Sequence, residues 1–119
     1  LRPFFGGGSG PFPPALVDRA LALCAELLAA PPAPVVLHAD LHHDNILAAD
    51  DAWLAIDPKG VVGEPAYDCA PFLYNPFSQI AADRDLARTL ERRIAIFAET
   101  LGLDRARLHA WGVVQAVLS

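Results

Sequence analysis

Asp40, Asn45 and Asp57 place an aspartate, an amide and a second aspartate within a short stretch, and His38 stands two residues before the first. A carboxylate at the reacting centre can orient an attacking hydroxyl and take its proton. An amide oxygen and a second carboxylate are hard donors of the kind that Mg²⁺ accepts, alongside phosphate oxygens and water. Together these are the needs of phosphoryl transfer from ATP: a base at the acceptor and a cation on the triphosphate. The polar residues also sit where such a site needs them, in a loop that follows the apolar run Val35-Val36-Leu37 and again after Trp53-Leu54-Ala55-Ile56.

The spacing sharpens this. A kinase catalytic loop reads His-x-Asp, four residues, then Asn; the metal-binding Asp follows a β-hairpin, with glycine close behind. His38, Asp40 and Asn45 reproduce the first part, and Asp57 with Gly60 reproduces the second with one extra residue. The stretch 36–47, Val-Leu-His-Ala-Asp-Leu-His-His-Asp-Asn-Ile-Leu, resembles the catalytic loop of the aminoglycoside phosphotransferase family, commonly His-Gly-Asp-Leu-His-x-x-Asn. Ile-Asp-Pro-Lys-Gly (56–60) and Gly-Glu-Pro-Ala-Tyr-Asp (63–68) resemble its streptomycin 6-kinase and hydroxyurea-resistance subgroup, and Asn75-Pro76 fits the same pattern.

The resemblance implies an α+β, protein-kinase-like fold, with this chain as the mostly helical C-terminal lobe carrying short β-hairpins at the site. It implies Asp40 as catalytic base, Asn45 and Asp57 as Mg²⁺ ligands, His38 as a brace for the loop, and Asp68 as an anchor for the loop backbone from the start of a helix. Lys59 is either a contact to an ATP phosphate or a solvated loop lysine. Of His42 and His43, one faces the core and the other lines the site. Asp44 and Glu64 add negative charge suited to a cationic acceptor, and Asp68 shares that property or caps its helix. The implied acceptor is a small-molecule hydroxyl, an aminoglycoside such as streptomycin. Two residues depart from the family pattern: Ala39 where glycine is usual, and Asp44 where glycine or proline is common.

Two other readings compete. A metal-dependent hydrolase would draw on His38, Asp40, His42, His43 and Asp44, but a His-x-His-x-Asp-His arrangement needs histidine at 40 and aspartate at 42, the reverse of what stands there. A non-catalytic binding module is the other. A glycine-rich nucleotide loop, a strand lysine and its glutamate partner are all unrecognisable in the chain. Gly6-Gly7-Gly8-Ser9-Gly10 is followed by Pro11 and lacks the lysine of a phosphate loop, so 1–14 reads as a connection. The expectation is a partial lobe over 1–119, lacking the nucleotide-binding N-terminal lobe and inactive by itself.

Composition agrees. Of 119 residues 54% are apolar, and Ser119 follows an apolar run, which predicts surface that belongs against further sequence. A net charge of −5 argues against a nucleic-acid partner. No run is long enough for a membrane span, and no signal segment opens the chain, which together with unpaired Cys24 and Cys69 suits the cytoplasm.

The elements that must position the site follow from periodicity. Leu16, Ala20, Leu23, Leu27 and Leu28 predict a helix over 15–30, stopped by Pro31-Pro32. Short strands are expected at 35–37, 46–48 and 53–56, with a turn at Asp50-Asp51. A loop is expected after Asp57 because of Pro58, Gly60 and Gly63. Helices are then expected over 65–74, over 83–101 with Gly102 ending it, and after a cap at Asp104. Trp53 and Trp111 are expected in the core.

Overall fold

The computed structural model describes residues 10–118. Most of the expected glycine-rich connection over 1–14 therefore lies outside the described residues. Helix α1 (Pro14–Ala29) has proline in its first turn, where the missing N–H costs no hydrogen bond. Its buried residues are Val17, Ala20 and Leu27, while Leu16 and Leu28 face outward. The stripe is rotated from the expected one because α1 packs on the last helix, where Val117 meets Val17 and Ala20.

Two antiparallel ribbons come next. Strand β1 (Val35–Leu37) pairs with β4 (Val61–Gly63), and β2 (Ile46–Ala49) pairs with β3 (Ala52–Ala55) across the Asp50-Asp51 turn. The segment expected as a loop is thus in part a strand. Glycines flank Val61-Val62, but those two β-branched residues find their partners in Val36 and Leu37, a distant pairing that overrides the local punctuation.

The expected helix over 65–74 is split into α2 (Pro65–Cys69) and α3 (Pro71–Tyr74). Pro71 has no N–H to donate and its ring obstructs the preceding turn. Helix α4 (Phe77–Ala82) was not foreseen, and α5 (Leu86–Leu101) starts later than expected because Asp83 Oδ1 accepts the Asp85 N–H in a local turn. Gly102, at φ 67°, ends α5 in the left-handed conformation. Asp104 Oδ1 accepts the Arg107 N–H at 2.8 Å and caps α6 (Arg105–Leu118), as expected.

Helix α6 is the hub of the core. Its Leu108, Ala110, Trp111 and Val114 pack with Leu27 of α1, Ala66 and Cys69 of α2, Leu73 of α3 and Ile94 of α5. Trp111 is a core residue. Trp53 is not: it is 76% exposed, because the β2–β3 hairpin has no layer packed over it among the described residues. Cys24 is half-buried and Cys69 buried, and burial pushes the Cys69 thiol up to about 11. No described helix is long and apolar enough to cross a membrane. The architecture is α+β, a helical body with two small sheets.

Candidate active site

The two ribbons explain why residues distant in sequence converge. The β2–β3 hairpin starts directly after Asn45 and ends directly before Ile56-Asp57, with Ile46 opposite Ala55. One further bond, Ile56 N–H to the Asn45 carbonyl at 3.0 Å, closes its open end and brings Asn45 beside Asp57. The β1–β4 ribbon does the same for His38 and Lys59: Leu37 lies opposite Val61, and the Lys59 N–H donates to the His38 carbonyl at 2.8 Å. The site lies where the two ribbon ends meet.

Asp68 of α2 holds the loop. Its Oδ2 accepts the His38 N–H at 2.7 Å and its Oδ1 accepts the Ala39 N–H at 2.8 Å. Ala39 has φ 65°, in the left-handed region where an L side chain is strained and glycine is at ease. The Asp68 bonds offset that strain, so the alanine that departs from the family pattern still takes the backbone shape that favours glycine. Asp68→Asn leaves one oxygen for two N–H donors, and a part-buried donor is orphaned. The expected loss is about 1–3 kcal/mol in urea unfolding, and an unchanged midpoint would show that the clamp is solvated.

His38 is locked in one tautomer. Its Nε2 donates to the Ile56 carbonyl at 2.8 Å, since a carbonyl can only accept, and its Nδ1 then accepts the Asp40 N–H at 3.3 Å. The ring joins the loop to the strand that delivers Asp57. With both nitrogens engaged, His38 has no lone pair left for a metal. Among the described residues, no group of three or more histidine, cysteine, aspartate or glutamate side chains is placed to hold one. The hydrolase reading thereby loses its ligand set.

Asn45 donates from Nδ2 to the Asp40 carbonyl at 2.8 Å, which fixes the amide and leaves its oxygen as the end available to a cation. Asp57, at φ 58°, is exposed and projects its carboxylate beside Lys59. Lys59 Nζ donates to Asp57 Oδ2 at 2.7 Å and lies 3.4 Å from Asp40 Oδ2. That hydrogen bond, reinforced by charge, holds the Asp57 carboxyl below its ordinary value and the Lys59 ammonium above its own. Asn45 and Asp57 supply hard oxygen donors from two adjoining backbone segments, a set that fits Mg²⁺ in chemistry.

The remaining expected residues divide. His42 lines the site, its Nε2 3.6 Å from Asp40 Oδ1 and its Nδ1 3.8 Å from Asp44 Oδ2. His43 packs on Phe72, ring centroids 5.1 Å apart, yet remains exposed. Neither histidine faces the core, contrary to expectation, because the loop that carries them lies at the surface. With Asp44, Asn75, Pro76 and Phe77 these histidines line a cavity of about 200 Å³. Glu64 is elsewhere: its side chain is 3% exposed and forms a two-pronged pair with Arg107, Nε to Oε1 at 2.9 Å and Nη2 to Oε2. A carboxylate so committed is not offered to an acceptor. Arg107 and Gln115, whose Nε2 donates to the Tyr67 carbonyl at 2.8 Å, went unnoticed in the sequence although they hold α2 in place. The signal was available: both lie on the side of α6 that carries Leu108 and Trp111, and a polar group on a core-facing stripe must find a partner.

Residues 10–119 match the family described as aminoglycoside/hydroxyurea antibiotic resistance kinase. The chain belongs to this family. It is 46% identical over 81 residues to a streptomycin 6-kinase of Streptomyces glaucescens, covering 67% of the chain and 26% of that relative. A streptomycin 3''-kinase of Klebsiella pneumoniae is 40% identical over 109 residues, covering 88% and 41%. A hydroxyurea phosphotransferase of Kitasatospora aureofaciens is 38% identical over 103 residues, covering 83% and 28%. The chain therefore spans 26–41% of the length of these curated relatives. No solved structure matches it.

Proposed function

We propose that the chain is the catalytic, acceptor-binding lobe of a protein-kinase-like fold. The longer protein would move the γ-phosphoryl group of ATP to a hydroxyl of a small molecule, an aminoglycoside such as streptomycin. The observation that carries this is the convergence of Asp40, Asn45, Asp57 and Lys59 at the meeting point of two ribbon ends. The relatives named as streptomycin kinases point to the acceptor class.

In this reading Asp40 faces the acceptor hydroxyl, orients it and takes its proton. Asn45 Oδ1 and the Asp57 carboxylate would hold Mg²⁺, which when bound neutralises charge on the triphosphate. His38 and Asp68 keep the Asp40 backbone from drifting, so that the base stays within reach of the hydroxyl. The acceptor would enter past His42, with the exposed Asp44 attracting its positive charge and the cavity beside Asn75-Pro76 receiving one of its rings. The nucleotide loop and strand lysine would come from sequence outside this chain. Exposed Val36, Val62, Trp53 and Leu54 are the surface against which that sequence would rest.

The test is ATP consumption by the longer protein with Mg²⁺, screened against streptomycin, other aminoglycosides, hydroxyurea and simple amino-alcohols. Acceptor-dependent ADP release with an aminoglycoside is expected. Its absence with every acceptor would sink the reading, and turnover with hydroxyurea alone would move the substrate class.

A further inference from the structure

Eight of the nine basic residues in the sequence are arginine, and Lys59 is the only lysine. It stands at the one place where the candidate base and a candidate metal ligand meet. Its Nζ is 2.7 Å from Asp57 Oδ2 and 3.4 Å from Asp40 Oδ2. Its backbone is pinned by the bond to the His38 carbonyl, whereas its side chain is half-exposed and carries its charge on a flexible stem.

An Asp57 carboxylate that binds Mg²⁺ does so at about 2.0–2.1 Å. A divalent cation on this carboxylate and an ammonium held at hydrogen-bond distance from it stand close enough to repel each other strongly, which weakens the Lys59 contact. We infer that Lys59 is a resident counter-cation of the Asp40–Asp57 pair, displaced from Asp57 when a divalent cation arrives. The inference rests on the reading of Asn45 and Asp57 as metal ligands.

Before loading, one ammonium keeps two neighbouring carboxylates from repelling each other and so holds the site together without metal. After loading, the same ammonium is released within reach of the space above Asp40. The choice of lysine follows from this exchange. An ammonium is a compact charge with rotatable donors and leaves a carboxylate readily, whereas a guanidinium grips it with a planar fork. Eight arginines elsewhere and a lysine here match that requirement.

In the longer protein, ¹³C,¹⁵N-lysine-labelled spectra compared with those of Lys59→Met assign the Lys59 Nζ resonance. Titration with Mg²⁺ alone is expected to move that resonance with the same midpoint as the Asn45 side-chain amide. Asp57→Asn should move it in the same direction with no metal added. Lys59→Met should bind Mg²⁺ roughly tenfold more tightly, and Lys59→Arg more weakly than the unaltered chain. An effect of net charge alone would leave the arginine variant unchanged and would overturn the inference. So would an Asn45 amide that responds to Mg²⁺ while the Nζ resonance stays in place; the metal assignment would then stand by itself. If the Asn45 amide does not respond at all, that assignment fails and the inference fails with it.

Discussion

Asp40→Asn in the longer protein is expected to lower kcat for acceptor phosphorylation about 10²–10⁴-fold, the range a positioned proton acceptor supplies. The substitution keeps the shape of the side chain and removes its basicity. The backbone N–H of Asp40 still meets His38 Nδ1, and its carbonyl still receives Asn45 Nδ2, so the loop has no reason to rearrange. ATP affinity should change little, since Asn45 and Asp57 keep their donors. Lys59 loses its second carboxylate at 3.4 Å but keeps the closer one at 2.7 Å. Steady-state kinetics with nucleotide binding measured in parallel checks this: near-normal turnover would remove Asp40 from the base role, and a collapse of ATP binding would make it a structural residue.

How much of this site could be read beforehand depended on the distance over which its contacts act. Asp40, Asn45 and Asp57 were legible because a loop and a tight hairpin are local: the residues that converge lie on either side of one turn. Lys59 was half legible. The Asp-Pro-Lys-Gly wording marked it, but its position between Asp57 and Asp40 depends on β4 pairing with β1, which the glycines around Val61-Val62 concealed. Glu64 shows the same limit from the other side. An acidic residue in a motif beside the site reads as a substrate contact until its partner, 43 residues away, is found. Trp53 was misplaced because aromatic size says that a residue wants cover, not where the cover comes from.

That pairing leads to the largest expected change in stability. Arg107→Met should destabilise the chain by about 3–5 kcal/mol, the usual consequence of leaving a buried charge without its partner. The Glu64 side chain has almost no access to water that could replace the guanidinium. Arg107 Nη2 also donates to the Leu27 carbonyl at 2.9 Å, so the same change orphans an acceptor at the end of α1. One guanidinium thus joins α1, α6 and the entry to α2. Replacing both partners by apolar side chains of similar volume removes the stranded charge, and Glu64→Met with Arg107→Met should recover at least half of the loss. Urea unfolding of the two single variants and the double variant measures the coupling. Single variants that cost under about 1 kcal/mol would place the pair in the solvated class. The consequence reaches the site, because α2 begins at the residue after Glu64 and carries Asp68 one turn later. A loosened Glu64 lets that turn drift, and with it the carboxylate that clamps His38 and Ala39. The single variants should therefore lose the protection of those two amides from hydrogen exchange, and the double variant should regain it.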